Sequence, residues 1–241
     1  MQLESGRDFL ARVSLRGDEV VLDAGCGSGR VTRLLLERVP RGRVIGVDAS
    51  PSMIEQAREN LGPEVELIVS DLLDLDLPDP VDVVFSTATF HWILDHDRLF
   101  RAIHRWLRPG GRIAAQFGGK GNVIEWRAAI GEASAKQPFA EHLRGFEHPW
   151  KFPPPEEVAV RLEAAGFAEI HCELEERWHE FDDPREFQRT VGLAVHLHRL
   201  PEELHEAFID TVLAGIADPS RVHLIRVNMT ARRPEGGDGG G

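Results

Sequence analysis

The sequence predicts an α/β protein, a doubly wound, mostly parallel seven-stranded sheet with helices on both faces and a helical cover. Three observations carry that expectation. The runs EVVLD (19–23), RVIGVD (43–48), VELIVS (65–70), VDVVFS (81–86) and RIAAQF (112–117) are apolar almost throughout, as in strands buried on both faces. Strand and helix alternate over 19–117 at the spacing of βαβ units, which fixes a parallel sheet. Several runs end in an acid followed by loop residues, and ligands bind outside the carboxyl ends of such strands.

The elements follow in order. Residues 5–15 read as a short helix with Phe9, Leu10 and Val13 on one face. The first strand, 19–23, runs into glycines, and a helix over 29–39 ends at Pro40. After the second strand, Ser50-Pro51 starts a helix to about residue 60, with Ser50 as N-cap and Pro51 at its first position. Strands three and four precede a helix over 96–107, closed by Arg108-Pro109-Gly110-Gly111 ahead of strand five. Beyond 117 the pattern changes. GGKGN (118–122) is a loop, 123–137 a helix carrying Trp126 and Ile130, and 138–155, with five prolines, an irregular connection. A helix over 156–165 stops at Gly166. Residues 167–181 read as a strand, 184–200 and 201–217 as two helices, 221–232 as a last alternating strand, and 234–241 as a flexible tail.

The 241 residues fit a single domain over 1–233: a core at 17–117, cover segments at 118–155 and 184–217, an acidic helix and strand at 156–183, and the last strand. A net charge of -12 argues against a general nucleic-acid binder and against docking on anionic lipid. Residues 156–186 hold 3 basic and 11 acidic side chains, so the acidity is mostly one local block and a small anionic substrate stays permitted. No apolar run approaches the ~20 residues of a membrane helix. Glu4, Arg7 and Asp8 exclude a secretory signal in residues 1–9. Two distant cysteines, Cys26 and Cys172, form no framework, so a cytoplasmic protein, monomer or homodimer, is expected.

The central motif is VLDAGCGSG, residues 21–29, in which a strand delivers Asp23 and then Gly25, Gly27 and Gly29 at alternate positions before a helix. Glycines admit positive φ and close approach of a ligand to the backbone. A dinucleotide fingerprint would need a glycine at position 30, which is Arg30, and a pyrophosphate would be repelled by Asp23. An acid there suits a cationic or amino-bearing ligand instead. Asp48 ends the second strand, where a carboxylate accepts both hydroxyls of a ribose. A ligand with ribose, an amino acid and a positive centre is S-adenosyl-L-methionine.

With Ser70-Asp71-Leu72 after strand three, STATFHW (86–92) after strand four and LRPGG (107–111) before strand five, the sequence resembles the class I S-adenosylmethionine-dependent methyltransferases, with their Rossmann-like fold. The resemblance implies a donor site at Asp23, Gly25, Cys26, Gly27, Ser28, Gly29, Asp48, Ala49, Met53, Asp71, Leu72, Ser86, Thr87 and Trp92, with Asp71 and Leu72 on the adenine side and 86–92 lining the methyl-transfer site. Within the superfamily, His91, Trp92 and Asp95 are similar to the carboxyl O-methyltransferases of trans-aconitate and of malonyl-carrier protein. Related chains carry some twenty more residues before the first helix, including a Tyr near the donor; this chain starts almost at that helix and has no Tyr.

The expected activity is methyl transfer to a small-molecule acceptor, a carboxylate among the possibilities. Alternatives are a non-catalytic S-adenosylmethionine-binding protein or a nicotinamide-dependent oxidoreductase. His91 is the candidate catalytic base, and it matters only for an acceptor that must lose a proton. A carboxylate needs no base and could be held by Arg127, Lys136, Arg144 or Lys151, in the one stretch that is not acidic. His142, His148, His196, His198 and His205 show no metal-ligand spacing with a carboxylate or cysteine, so no metal is expected. Cys26 reads as a small packing residue, and Asp74, Asp76 and Asp79 as a solvated run.

Overall fold

A computed structural model describes residues 2–236. The end of the expected tail, 237–241, lies outside the described residues. The chain runs α1 (Gln2–Arg12), β1 (Val20–Ala24), α2 (Arg30–Arg38), β2 (Arg43–Asp48), α3 (Pro51–Leu61), β3 (Glu66–Val69), β4 (Val81–Thr87), a 3₁₀ turn (Phe90–Trp92), α4 (His96–Trp106) and β5 (Leu107–Gly118). It continues with α5 (Ile124–Ser134), α6 (Phe139–Leu143), α7 (Pro155–Ala164), β6 (Ala168–Glu180), α8 (Pro184–Phe187), a π turn (Gln188–Gly192), α9 (Ala194–Leu197), a 3₁₀ turn (Glu202–Leu204), α10 (His205–Ala214) and β7 (Arg221–Arg232).

The seven strands form one sheet in the order β3-β2-β1-β4-β5-β7-β6. The pairs from β3 through β5 are parallel, and β7 is antiparallel to β5. Both faces are covered. Leu22, Val84 and Ile113 point into a core with Phe100 and Trp106 of α4 and Val158 and Leu162 of α7. Their strand neighbours Val21, Val83 and Ala114 point into a second core with Phe9 and Leu10 of α1 and Leu35 of α2. Burial on both faces is why these strands read as apolar runs rather than alternating ones. The strand order reverses between β1 and β4, and this opens a crevice at their carboxyl ends.

The chain divides into two compact units. One holds residues up to Lys120, Trp150–Glu175 and the chain from Arg226; the other holds Gly121–Pro149 and Glu176–Ile225. Within the second unit, Trp126 meets Phe181 and Phe187 edge-on, and Phe139 meets Phe208. No helix among the described residues is long and apolar enough to cross a membrane.

Several element boundaries differ from expectation. The helix expected over 184–200 is broken by a π turn in which the Leu193 N–H donates to the Gln188 carbonyl. A Cβ on Gly192 would lie 2.3 Å from the buried Gln188 side chain, so tertiary packing sets the break. The helix expected over 201–217 is a 3₁₀ turn followed by α10, and the irregular connection after 138 contains α6. Strand five starts earlier, at Leu107, because the LRPGG turn joins the sheet edge: Leu107 pairs with Val81 before the register shifts.

Candidate active site

The glycine loop leaves β1 at the crevice and is fastened from three sides. The Gly25 and Cys26 N–H groups both donate to the Val47 carbonyl of β2, at 2.8 and 2.9 Å. The Gly27 N–H donates to Asp48 Oδ2 at 2.9 Å, while Asp48 Oδ1 accepts from the Ser50 N–H at 2.9 Å. Asn60 of α3 donates to the Ser28 carbonyl at 2.8 Å. The three loop glycines all have positive φ, and Gly29 sits at the N-cap of α2. A Cβ on Gly25 would fall 2.1 Å from Thr89 Oγ1, whereas one on Gly27 would meet nothing. The open side of Gly27, beside a carboxylate already oriented by two backbone N–H groups, fits a ribose diol on the remaining lone pairs of Asp48.

Asp23 is buried, and its Oδ2 accepts from Thr32 Oγ1 at 2.7 Å. Burial pushes its carboxyl up to about 7; the Thr32 hydrogen bond opposes this and the charge of Asp48 adds to it. A carboxyl so poised is stabilised as the anion by an adjacent cation. Cys26 is buried against β2, where a Cβ on Gly46 would come within 3.1 Å of its sulfur. Burial, with the charges of Asp23 and Asp48, drives its thiol well above the usual range, so it packs rather than reacts.

The expected donor residues fall at the carboxyl ends of the central strands. Ser86 Oγ donates to the Ala24 carbonyl at 2.6 Å and ties β4 to β1. Thr87 ends β4, and its carbonyl accepts from Thr89 Oγ1. Ala49 and Met53 are exposed beside Asp48, Met53 in the first turn of α3. Asp71 is exposed, and its Oδ1 accepts from the Leu73 N–H at 2.8 Å. The Leu72 side chain lies in the core, which leaves its backbone for a ligand.

His91 lies in the 3₁₀ turn after β4. Its ring is buried, and its Nδ1 faces the Gly118 N–H of β5 at 3.4 Å. Burial first, then the positive charges of Arg226 and His96, hold its imidazole down to about 3, so it is neutral. Around it stand Trp92 and Phe152, with ring centroids 5.5 and 5.7 Å away, and Trp150 meets Trp92 edge-on. The Lys151 N–H donates to the His91 carbonyl at 2.8 Å and pins this aromatic wall together.

Thr32, Asn60, Trp150, Phe152 and Arg226 escape a reading by motif, and Thr89 is not singled out by its own. Thr89 stands inside the STATFHW motif. The others act across sequence separations that no local pattern records. Among the four basic residues considered as carboxylate holders, Lys151 spends its ammonium on the Leu94 carbonyl at 3.2 Å, and the other three belong to the second unit.

A methyltransferase-domain family matches residues 21–111. A trans-aconitate 2-methyltransferase from Azoarcus sp. (strain BH72) is 33% identical over 88% of this chain and 83% of its own length. A second, from Acidovorax sp. (strain JS42), is 39% identical over 45% of this chain and 42% of its own. The fold is similar to that of Haemonchus contortus phosphoethanolamine N-methyltransferase 2 in complex with S-adenosyl-L-methionine, with a TM-score of 0.62 and 23% identity over 96% of this chain and 53% of that one. With the loop, its two acids and the strand order all in place, the chain belongs to the class I S-adenosylmethionine-dependent methyltransferases.

Proposed function

We propose that this methyltransferase esterifies a carboxylate of a small-molecule acceptor. The observation that carries the reading is the state of His91: it is buried, neutral, with Nδ1 on a backbone N–H, and too weakly basic to deprotonate an alcohol or amine efficiently. A carboxylate is already an anion at neutral pH and needs no base. The names of the two relatives support the same class, since trans-aconitate is a tricarboxylate.

Asp48 orients the ribose of the donor, Asp23 its amine, and the backbone of Gly25 through Gly29 follows its chain. The donor supplies a methyl on a cationic sulfur that leaves as a neutral thioether. Charge is lost along the reaction, so the protein's part is alignment and exclusion of water. Trp92, Trp150, Phe152 and the His91 ring provide the apolar wall for this. Asp71 and the Leu72 backbone take the adenine edge. Both cysteines are free thiols, which fits the cytoplasm as the place of work.

The test is an acceptor screen with methyl-labelled donor over carboxylates, alcohols and amines. Base-labile label released as methanol marks an ester. Base-stable transfer to an amine or carbon, abolished by His91→Ala, would overturn the reading and make His91 the base.

A further inference from the structure

Arg226 is a buried arginine whose side chain has no partner among the described residues. It is 9% exposed, its Nε is sealed from water without a hydrogen-bond acceptor, and its side chain makes no hydrogen bond or ion pair among the described residues. A buried charge without a counter-charge destabilises a fold. Proteins keep such a group where a ligand completes it.

Its position says which ligand. Arg226 pairs across the sheet with Gly118, the last residue of β5, whose N–H faces His91. It therefore lies at the carboxyl-end edge of the sheet, where α/β sheets bind ligands. The next residues on its face are polar and buried too: Asn228, two places on, accepts from Gln116 Nε2 at 2.7 Å. Asn228 donates in turn to Glu175 at 2.6 Å, and Glu175 is held by both Arg12 nitrogens at 3.0 and 3.1 Å. Burial brings the Arg226 guanidinium down to about 10, still a cation at neutral pH.

We propose that Arg226 binds a carboxylate of the acceptor other than the one methylated, so that the substrate carries at least two acid groups. The inference rests on the carboxylate reading above. A carboxylate clamped by a guanidinium is a poorer nucleophile, and it serves as the handle while a second reacts. The donor also has a carboxylate, but strand order separates the two. The donor acids stand on β1 and β2, and β7 lies three strand spacings beyond β1, about 14 Å. The His91 wall stands between, after β4. Arginine suits the role because its planar fork meets both oxygens of a carboxylate.

The test uses the full chain and the variants Arg226→Met and Arg226→Lys, with three readouts. Equilibrium titration with S-adenosylmethionine is expected to give the same Kd in Arg226→Met as in the parent. Tricarballylate, added with S-adenosylhomocysteine, is expected to raise the melting temperature of the parent but not of Arg226→Met. Turnover of di- and tricarboxylates by Arg226→Met is expected to fall about thirtyfold or more in kcat/KM, through KM, with partial recovery in Arg226→Lys. Unchanged kcat/KM in Arg226→Met overturns the proposal and leaves the carboxylate reading standing. Weakened donor binding in that variant also overturns it, assigning Arg226 to the donor. If Arg226→Met does not fold, Arg226→Lys and the tricarballylate shift of the parent decide. No shift in the parent overturns the proposal. If the parent methylates only alcohols or amines, the carboxylate reading falls, and the tricarballylate shift, which needs no turnover, still judges Arg226 as a carboxylate site.

Discussion

Thr32 Oγ1 donates to Oδ2 of Asp23 across 2.7 Å, and both residues are buried. The bond gives the Asp23 carboxyl one neutral partner where the donor's amine would bring a cation. Its folded value, about 7, lies above the ordinary 3.8. The native state therefore holds this proton more tightly than the unfolded chain does. The associated stability is full below pH 4 and is lost as pH rises from about 4 through about 7. Donor-free protein is expected to melt lower at pH 8 than at pH 6, and Asp23→Asn to flatten that slope. Donor affinity is expected to rise over the same interval, since the anion pairs with a cation, and to be lost in Asp23→Asn. A donor Kd independent of pH from 6 to 8 would speak against Asp23 as the partner of the amine.

Asp48 holds the glycine loop and is the proposed ribose ligand. Asp48→Ala leaves the Gly27 and Ser50 N–H groups without their acceptor, at a cost of about 1–3 kcal/mol. Loss of two charge-assisted bonds to the ribose is expected to weaken donor binding about thirtyfold or more. Calorimetric titration beside a melting curve separates the two effects; weakening of neither would remove Asp48 from the site.

Gly25 and Gly27 are expected to respond differently to the same methyl group. In Gly25→Ala the new Cβ would sit 2.1 Å from Thr89 Oγ1 at a φ of +83, so the loop must leave its position and both folding and donor binding suffer. In Gly27→Ala the Cβ enters open space, and only a left-handed backbone cost of about 1–2 kcal/mol remains. That variant is expected to fold and yet to bind donor poorly, because the proposed donor site fills the open space. Tight donor binding by Gly27→Ala would move the ligand elsewhere.

His91→Ala is expected to cost about 2–4 kcal/mol of stability, by opening a cavity among aromatic rings and orphaning the Gly118 N–H. With a carboxylate acceptor its kcat is expected to stay within about tenfold, less than the 10²–10⁴ of a general base. Burial keeps the His91 imidazole neutral above about pH 3, so the rate profile between pH 5 and 8 is expected to show no limb from it. A limb near pH 6.5 that vanishes in His91→Ala would restore the base.

Glu19 governs the acid side. Burial alone would raise its carboxyl, but the N–H groups of Arg16 and Gly17 and the Arg112 guanidinium hold it down to about 2. Its contribution is present above pH 4.5 and is lost as pH falls toward 2. Glu19→Gln is expected to lower the melting temperature at neutral pH and to shrink the loss on acidification; identical curves would remove Glu19 from the acid limb.

Much of the donor half was legible in the linear chain. A parallel strand buried on both faces must be apolar throughout, and a ligand at its carboxyl end needs glycines and an acid within a few residues. VLDAGCGSG and Asp48 therefore carry their geometry locally. Ser50 before Pro51 capped α3 as expected, its hydroxyl accepting from the Met53 N–H. The helix expected over 184–200 was lost because the Gln188 side chain occupies the space over Gly192, a contact that a helical period does not record.

The sequence by itself determined the sheet, its first five strands and the glycine loop with its two acids, because backbone periodicity and short-range loop chemistry are written in neighbouring positions. Only the tertiary structure decided the surroundings of His91 and Arg226. His91 became a neutral wall because β5 and Phe152 enclose it. Arg226, one charge within an alternating strand, became a buried cation without a side-chain partner among the described residues because the antiparallel pairing of β7 with β5 sets it opposite Gly118, at the carboxyl end of β5. Burial and missing partners are properties of the assembled neighbours, and no single segment of chain contains them.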